Sequence, residues 1–337
     1  MKRQERDEQF AGKVPGVLEY HKKMLADGVR NSLLLKAIKK HVNKETSFLD
    51  VGAGTGVWAV IAAKLGAKRV VAIEVEECLI PIIHKHAQEN GVADRIEIVH
   101  GDSNNVKLRG KFDCIVSELF GGNAFGKETV ESFVDLRNRF LAKDGVLIPQ
   151  GLDCYAVPVF VDDSVETVPA KLPITCEFLK SLKRNYSRTA DLDSRRRIKF
   201  LSEPKRLVEL DFRTIEIPPA LDFTAEWKLR NISKANAFAM FNASIFTEEI
   251  RMNSFDSQSW GTSIFEFKPF KEKAGTIKLD LKMEEKTMWT VSIPSNGNLK
   301  PETYAPAFAI ARLRMNQKMT PYKKYGAPKA TTKRSNR

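Results

Sequence analysis

The sequence predicts an α/β protein, in which an open parallel sheet with a nucleotide-type cofactor site is followed by an antiparallel β domain. Three observations carry this. The first is the stretch Phe48 to Glu74, where an apolar strand ends at Asp50 and a turn carries Gly52, Gly54 and Gly56. An apolar helix follows, and a second strand ends in an acid. Glycines there let the backbone approach a bound group, and a strand-end acid can accept hydrogen bonds from a ribose diol. The second is the alternation of strand and helix patterns up to about residue 150, and the third is a change to period-two patterning after Pro149. The glycine turn alone does not choose between a dinucleotide and S-adenosylmethionine.

In chain order, residues 1–16 read as a charged, flexible N-terminus. Apolar residues from Leu18 to Ile38 recur at helical spacing, with a break expected near Gly28. Strands are expected at Phe48–Val51, Arg69–Glu74, Arg95–His100, Lys111–Ser117 and Val146–Ile148. Helices are expected at Val57–Leu65, Glu77–Glu89 and Glu128–Leu141. The spacing places both the glycine turn and Glu118 at the carboxyl ends of parallel strands, where open sheets form their crevice. Beyond the boundary, strands are expected around Cys154–Val161, Leu207–Phe212, Ala237–Phe246, Ser263–Phe267, Thr276–Leu281, Met288–Ile293 and Phe308–Met315. The expected division is 17–150 for the cofactor-binding domain, 151–315 for an antiparallel sandwich or barrel, and 316–337 for a basic flexible tail.

The 337 residues suffice for two domains, and 42% of them are apolar, which is globular. Cys78, Cys114, Cys154 and Cys176 form no pairing pattern, which suits a reducing compartment. With no secretory leader and no membrane-length apolar run, a cytoplasmic or nuclear location is expected. The formal net charge of +13 favours acidic partners or nucleic acid only weakly. Much of the excess lies in residues 180–199, which include Arg195-Arg196-Arg197, and in the tail from Pro321. These read as a solvated loop and a disordered tail.

The five histidines all lie in the first hundred residues, and His84 and His86 at i,i+2 do not face one another. No metal set, cysteine nucleophile or Gly-x-Ser-x-Gly elbow is in place. Carboxylates, backbone and cofactor must therefore carry the chemistry. Glu118, at a strand end before Leu119-Phe-Gly-Gly122, is suited to hold a cationic substrate. Arg30 can pair with a cofactor carboxylate, and Asp50 can bind an amino group or support the turn.

Several segments together resemble the protein arginine methyltransferases: Met24-Leu-Ala-Asp-Gly-Val-Arg30, Leu49-Asp-Val-Gly-Ala-Gly-Thr-Gly56, Gly66 to Glu74, Ser117-Glu118-Leu-Phe-Gly and Leu141 to Pro149. The resemblance extends over roughly residues 20–293. It implies a Rossmann-like S-adenosylmethionine-binding domain, a β-barrel and a dimerisation arm, here near 177–200. By the same resemblance Arg30 binds the methionine carboxylate of the cofactor, and Gly52, Gly54 and Gly56 line it. Glu74 holds the ribose, and Asp102 and Ser103 contact the adenine. Met24 packs beside the reacting methyl, and Glu118 is the first acid of a two-glutamate loop that clamps a guanidinium.

The chain departs from that pattern in three places. The second loop acid is expected nine residues after Glu118, where Lys127 stands, with Glu128 one residue later. The Thr-His-Trp loop is replaced by Gln258-Ser259-Trp260, so Trp260 remains while its histidine does not. The aromatic helix ahead of the site is reduced to Tyr20, followed by Lys22-Lys23. The expectation is arginine N-methylation in proteins or peptides by a homo- or heterodimer, with Glu118, Glu128, Trp260 and Met24 in the catalytic group. Two alternatives stand beside it: a regulatory partner of an active relative, and a methyltransferase for a free guanidino metabolite or RNA.

Overall fold

A computed structural model describes residues 3–119, 127–162, 184, 187–190, 195–218, 222–273, 275–283, 287–292 and 302–304. Helices α1 (Arg3–Leu25) and α2 (Gly28–His41) lead into strand β1 (Ser47–Val51) and helix α3 (Val57–Lys64). Strand β2 (Arg69–Glu74), helix α4 (Ile80–Glu89), strand β3 (Ile96–His100), strand β4 (Phe112–Ser117), helix α5 (Lys127–Phe140) and strand β5 (Leu141–Ile148) complete the first half. The helix-to-helix break falls at Ala26-Asp27, just before the expected Gly28. Helix α1 starts at Arg3, within the stretch expected to fray.

All five strands are parallel, in the order β3-β2-β1-β4-β5. The chain turns from β2 on one side of β1 to β4 on the other, so the crevice opens between β1 and β4. Their register pairs Val51 with Ser117, which sets Gly52 and Glu118 side by side just past the strand ends. Helix α3 buries Trp58, Ala59, Val60, Ala62 and Ala63, as a helix apolar nearly all round must. Helix α5 buries Val130, Phe133, Leu136 and Phe140 at helical spacing.

The second half is antiparallel. It comprises β6 (Gly151–Val161), β7 (Arg188–Ala190), β8 (Ile198–Phe200), β9 (Lys205–Asp211), β10 (Asp222–Leu229), β11 (Ala237–Thr247), β12 (Ile250–Asn253), β13 (Thr262–Glu266), β14 (Gly275–Met283), β15 (Thr287–Ser292) and β16 (Glu302–Tyr304). One sheet runs β7-β13-β11-β6-β8, with β12 on β11 and β9 on β6, and the other runs β10-β14-β15-β16. Phe308–Met315, most of the segment expected to form the arm, and the basic tail lie outside the described residues.

Apolar packing joins the halves in two places of note. Phe133 of α5 stacks on Phe212 at 4.0 Å between ring centres, and both rings are fully buried. Burying one such ring contributes about 2–3 kcal/mol. Phe246, Ile250 and Met252 of the β11–β12 hairpin pack with Leu34 and Ile38 of α2. The packing thus brings barrel residues to the helix that carries Arg30.

The basic run at 195–197 corrects one expectation, since Arg195 is buried rather than solvated. Its guanidinium donates to the carbonyls of Ser254, Phe255 and Ser257. Ile198–Phe200 then pairs with β6.

Candidate active site

The site is assembled around the turn after β1. Gly52, Gly54 and Gly56 have φ of +68°, +58° and +76°, a region side chains disfavour. A Cβ on Gly54 would also stand 2.6 Å from the His21 ring, and one on Gly56 would stand 2.6 Å from Ile83. Backbone approach and helix packing therefore both require glycine here.

Acids fix the turn from both sides. Glu74 Oε2 accepts from the Gly54 amide at 2.6 Å, and its Oε1 accepts from Val75 and Glu76, each at 2.8 Å. Asp50 Oδ2 accepts from the Ala59 amide at 3.0 Å, within the first turn of α3. Burial pushes the Asp50 carboxyl up to about 7; Glu118 and Glu74 push the same way, while the Ala59 amide and Arg30 oppose them. A bound cationic amine would therefore favour the ionised form.

Arg30 and Glu118 face each other across the crevice. Arg30 Nε donates to Glu118 Oε2 at 2.6 Å and Nη2 donates to Oε1 at 2.5 Å, a bidentate pair with both side chains under 10% exposed. Arg30 Nη1 donates to Asn31 Oδ1 at 2.6 Å and to the Met24 carbonyl at 3.3 Å. Trp58 Nε1 donates to Glu118 Oε1 at 3.1 Å, and the Arg30 guanidinium carbon lies 5.6 Å from the Trp58 ring centre. A cavity of about 100 Å³ is lined by Tyr20, His21, Met24, Arg30, Asp50, Gly52, Gly54, Trp58 and Glu118 among others.

The remaining expected residues lie around this centre or away from it. Glu74 reaches it through Gly54, and Gly56 caps α3. Asp102 is exposed beyond β3 and binds the Asn104 amide at 2.9 Å, while the Ser103 carbonyl accepts from Arg139. Trp260 packs edge-on to Phe246 at 6.5 Å. Glu128 is exposed in the first turn of α5, and neighbouring Lys127 pairs with Glu131 at 3.6 Å.

Asp27 is the main residue the sequence reading did not single out. It caps α2 by accepting from the Arg30 amide at 3.1 Å. The same carboxylate accepts from Ser257 Oγ at 2.5 Å, the Ser259 amide at 2.9 Å and Ser259 Oγ at 2.7 Å. Burial works against its charge, but these bonds outweigh it and hold the carboxyl below its usual range. Two serines thus brace the site where the resemblance implies a histidine. An Asp just ahead of a helical pattern was the available signal; its partners 230 residues away had none.

The crevice thus gathers one guanidinium, Arg30, with the carboxyl groups of Glu118, Asp50 and Glu74. The glycine turn clears space for close backbone approach.

Residues 31–152 match the family model described as ribosomal protein L11 methyltransferase (PrmA). The chain is 28% identical over 212 residues to protein arginine N-methyltransferase 6 of Danio rerio, covering 60% of each chain. It is 36% identical over 135 residues to protein arginine N-methyltransferase 1 of Schizosaccharomyces pombe, covering 38% of each. It is 24% identical over 222 residues to the probable protein arginine N-methyltransferase 6 of Arabidopsis thaliana, covering 64% of this chain and 51% of that one. The chain therefore spans about two fifths to three fifths of the length of these curated relatives.

In fold, it matches Arabidopsis thaliana protein arginine methyltransferase 10 with a TM-score of 0.69 at 20% identity, over 86% of this chain and 99% of that one. It matches the Trypanosoma brucei PRMT1 enzyme–prozyme heterotetramer with AdoHcy equally, at 0.69 and 18% identity, over 85% and 97%. In sequence and in fold alike, this chain is similar to the protein arginine methyltransferases.

Proposed function

We propose that the chain is an S-adenosylmethionine-dependent methyltransferase acting on a guanidino nitrogen of arginine in proteins or peptides. The observation that carries this is the Arg30–Glu118 pair beside the glycine turn. Glu118 holds a guanidinium bidentately in the crevice, which is the contact an arginine acceptor needs. Relatives of similar sequence and fold carry the name of this activity.

In this reading the cofactor supplies an electrophilic sulfonium methyl. Arg30 holds the carboxylate at its methionine end, and Asp50 lies near its amine. Glu74 takes the ribose, Asp102 and Ser103 stand at the adenine end, and Met24 lies beside the methyl. Glu118 fixes two nitrogens of the acceptor and draws the positive charge toward them. The remaining nitrogen would take the methyl as the bond to the cofactor sulfur breaks, leaving a neutral thioether and releasing one proton. Among the described residues Glu128 is exposed on α5, so in this reading Glu118 acts without it.

That exposure favours one further reading, in which this subunit regulates a catalytically complete relative within a dimer. Dimerisation through the 177–200 segment and a cytoplasmic or nuclear location belong to the same proposal; no described helix is long and apolar enough to cross a membrane. The test is methyl transfer from labelled S-adenosylmethionine to a panel of arginine-containing proteins, with amino-acid analysis of the product and cofactor binding measured on the same sample. Labelled methylarginine supports the enzyme. Tight cofactor binding without transfer, restored on mixing with an active relative, supports the regulatory subunit. Failure to bind the cofactor would sink the enzyme reading and favour the regulatory subunit.

A further inference from the structure

The Arg30 guanidinium is heavily committed within the protein. Nε and Nη2 serve Glu118, while Nη1 serves Asn31 and Met24. A cofactor carboxylate can engage this side chain only by displacing some of these bonds, and the contacts facing the crevice are those to Glu118. Glu118 would then be released from a bidentate clamp just as it must orient an acceptor. With Lys127 and the exposed Glu128 on the far side of the loop, a neighbouring acid does not share that task among the described residues.

Among the described residues one donor remains when Arg30 turns away. Trp58 Nε1 reaches Glu118 Oε1 at 3.1 Å. Its ring is 5% exposed and stands on the first turn of α3, immediately after the glycine turn. A large ring with two rotatable bonds, walled in by core, holds its N–H in a fixed direction. Phenylalanine or leucine would fill the same space without donating.

We propose that Trp58 is a positioning residue for Glu118: its indole N–H holds the carboxylate in the crevice while Arg30 is drawn to the cofactor carboxylate. The proposal rests on the methyltransferase reading for its consequence, but its contact can be read without turnover. By donating to Oε1, which accepts from Arg30 Nη2 at the same time, Trp58 fixes the carboxylate plane and leaves both oxygens open to the acceptor once Arg30 has moved. The indole itself touches neither the methyl nor the acceptor nitrogen.

Two measurements test it. The first is a double-mutant cycle of Trp58→Phe and Glu118→Gln, with kcat, KM and cofactor Kd for each variant. Trp58→Phe is expected to lower kcat about tenfold in the parent, with cofactor Kd changed less than about threefold. In the Glu118→Gln background it should cost almost nothing further. The same loss in both backgrounds would mean that the ring only packs, and would overturn the proposal.

The second measurement is the indole N–H resonance of Trp58 in the cofactor-bound protein, assigned from the Trp58→Phe variant. If that variant does not fold, Phe variants at Trp227, Trp260 and Trp289 give the assignment by elimination. The resonance should move in Glu118→Gln as a charged acceptor becomes neutral, and an unmoved resonance would overturn the proposal. Absent methyl transfer with a resonance that moves would instead count against the proposed function alone.

Discussion

Replacing Asp27 by alanine should loosen the barrel from the helix that carries Arg30. Asp27 is fully buried and accepts four hydrogen bonds, one from the α2 amide of Arg30 and three from Ser257 and Ser259. Losing an N-cap costs about 1 kcal/mol. Hydrogen bonds to a charged group contribute about 1.5–3 kcal/mol each, and those on one carboxylate are not additive. Alanine also leaves the buried Ser257 hydroxyl short of a partner. The expected loss is about 4 kcal/mol, or a fall in Tm of about 8 °C at about 2 °C per kcal/mol for a chain of this size. Cofactor affinity should fall as well, because Arg30 stands in the first turn of the helix that Asp27 caps. Asp27→Asn, which keeps one acceptor oxygen, should lose about half as much. Thermal unfolding and calorimetric titration with S-adenosylmethionine measure both effects. A loss below about 1 kcal/mol with cofactor binding intact would refute the bracing role.

Three further outcomes follow from the same geometry. Arg30→Ala should weaken cofactor binding by about 1.5–3 kcal/mol, read by calorimetry, since it removes a charged donor from a buried site. Asp50 has a folded pKa of about 7 against an unfolded value near 3.8, so the folded protein keeps a proton that the unfolded chain has lost. Its contribution to stability is full below about pH 4 and is lost as pH rises through 7, at no more than about 1.4 kcal/mol per pH unit; Asp50→Asn should flatten that part of the cofactor-free Tm profile. Arg195→Ala should destabilise by about 3 kcal/mol in denaturant unfolding, because three carbonyls lose a buried charged donor, and Arg195→Lys should recover only part.

The parallel sheet was legible because its signals are local. An apolar run, glycines needing positive φ, an all-round apolar helix and a strand-end acid follow one another within 27 residues. Glu118 was legible because a strand end fixes its location whatever the side chain does. Strand β10 escaped, although Phe223, Ala225, Trp227 and Leu229 alternate cleanly between exposed neighbours. The charges of Asp222, Glu226 and Lys228 dilute its apolar alternation. Arg195 was misread for the same reason: charge suggested solvent, whereas three distant carbonyls bury it. The Asp27 brace and the Trp58–Glu118 bond could not be read at all, because each joins residues that only tertiary packing brings together. The histidine that the resemblance implies, and the chain lacks, pointed to a gap there but not to the two serines that fill it.

The most direct test of the central claim is the Glu118→Gln variant, compared with the parent for cofactor binding and for methyl transfer to an arginine-containing acceptor. The account predicts that cofactor affinity changes by less than about threefold while turnover falls at least about tenfold, because the lost charge acts on the acceptor. Turnover equal to that of the parent would contradict it.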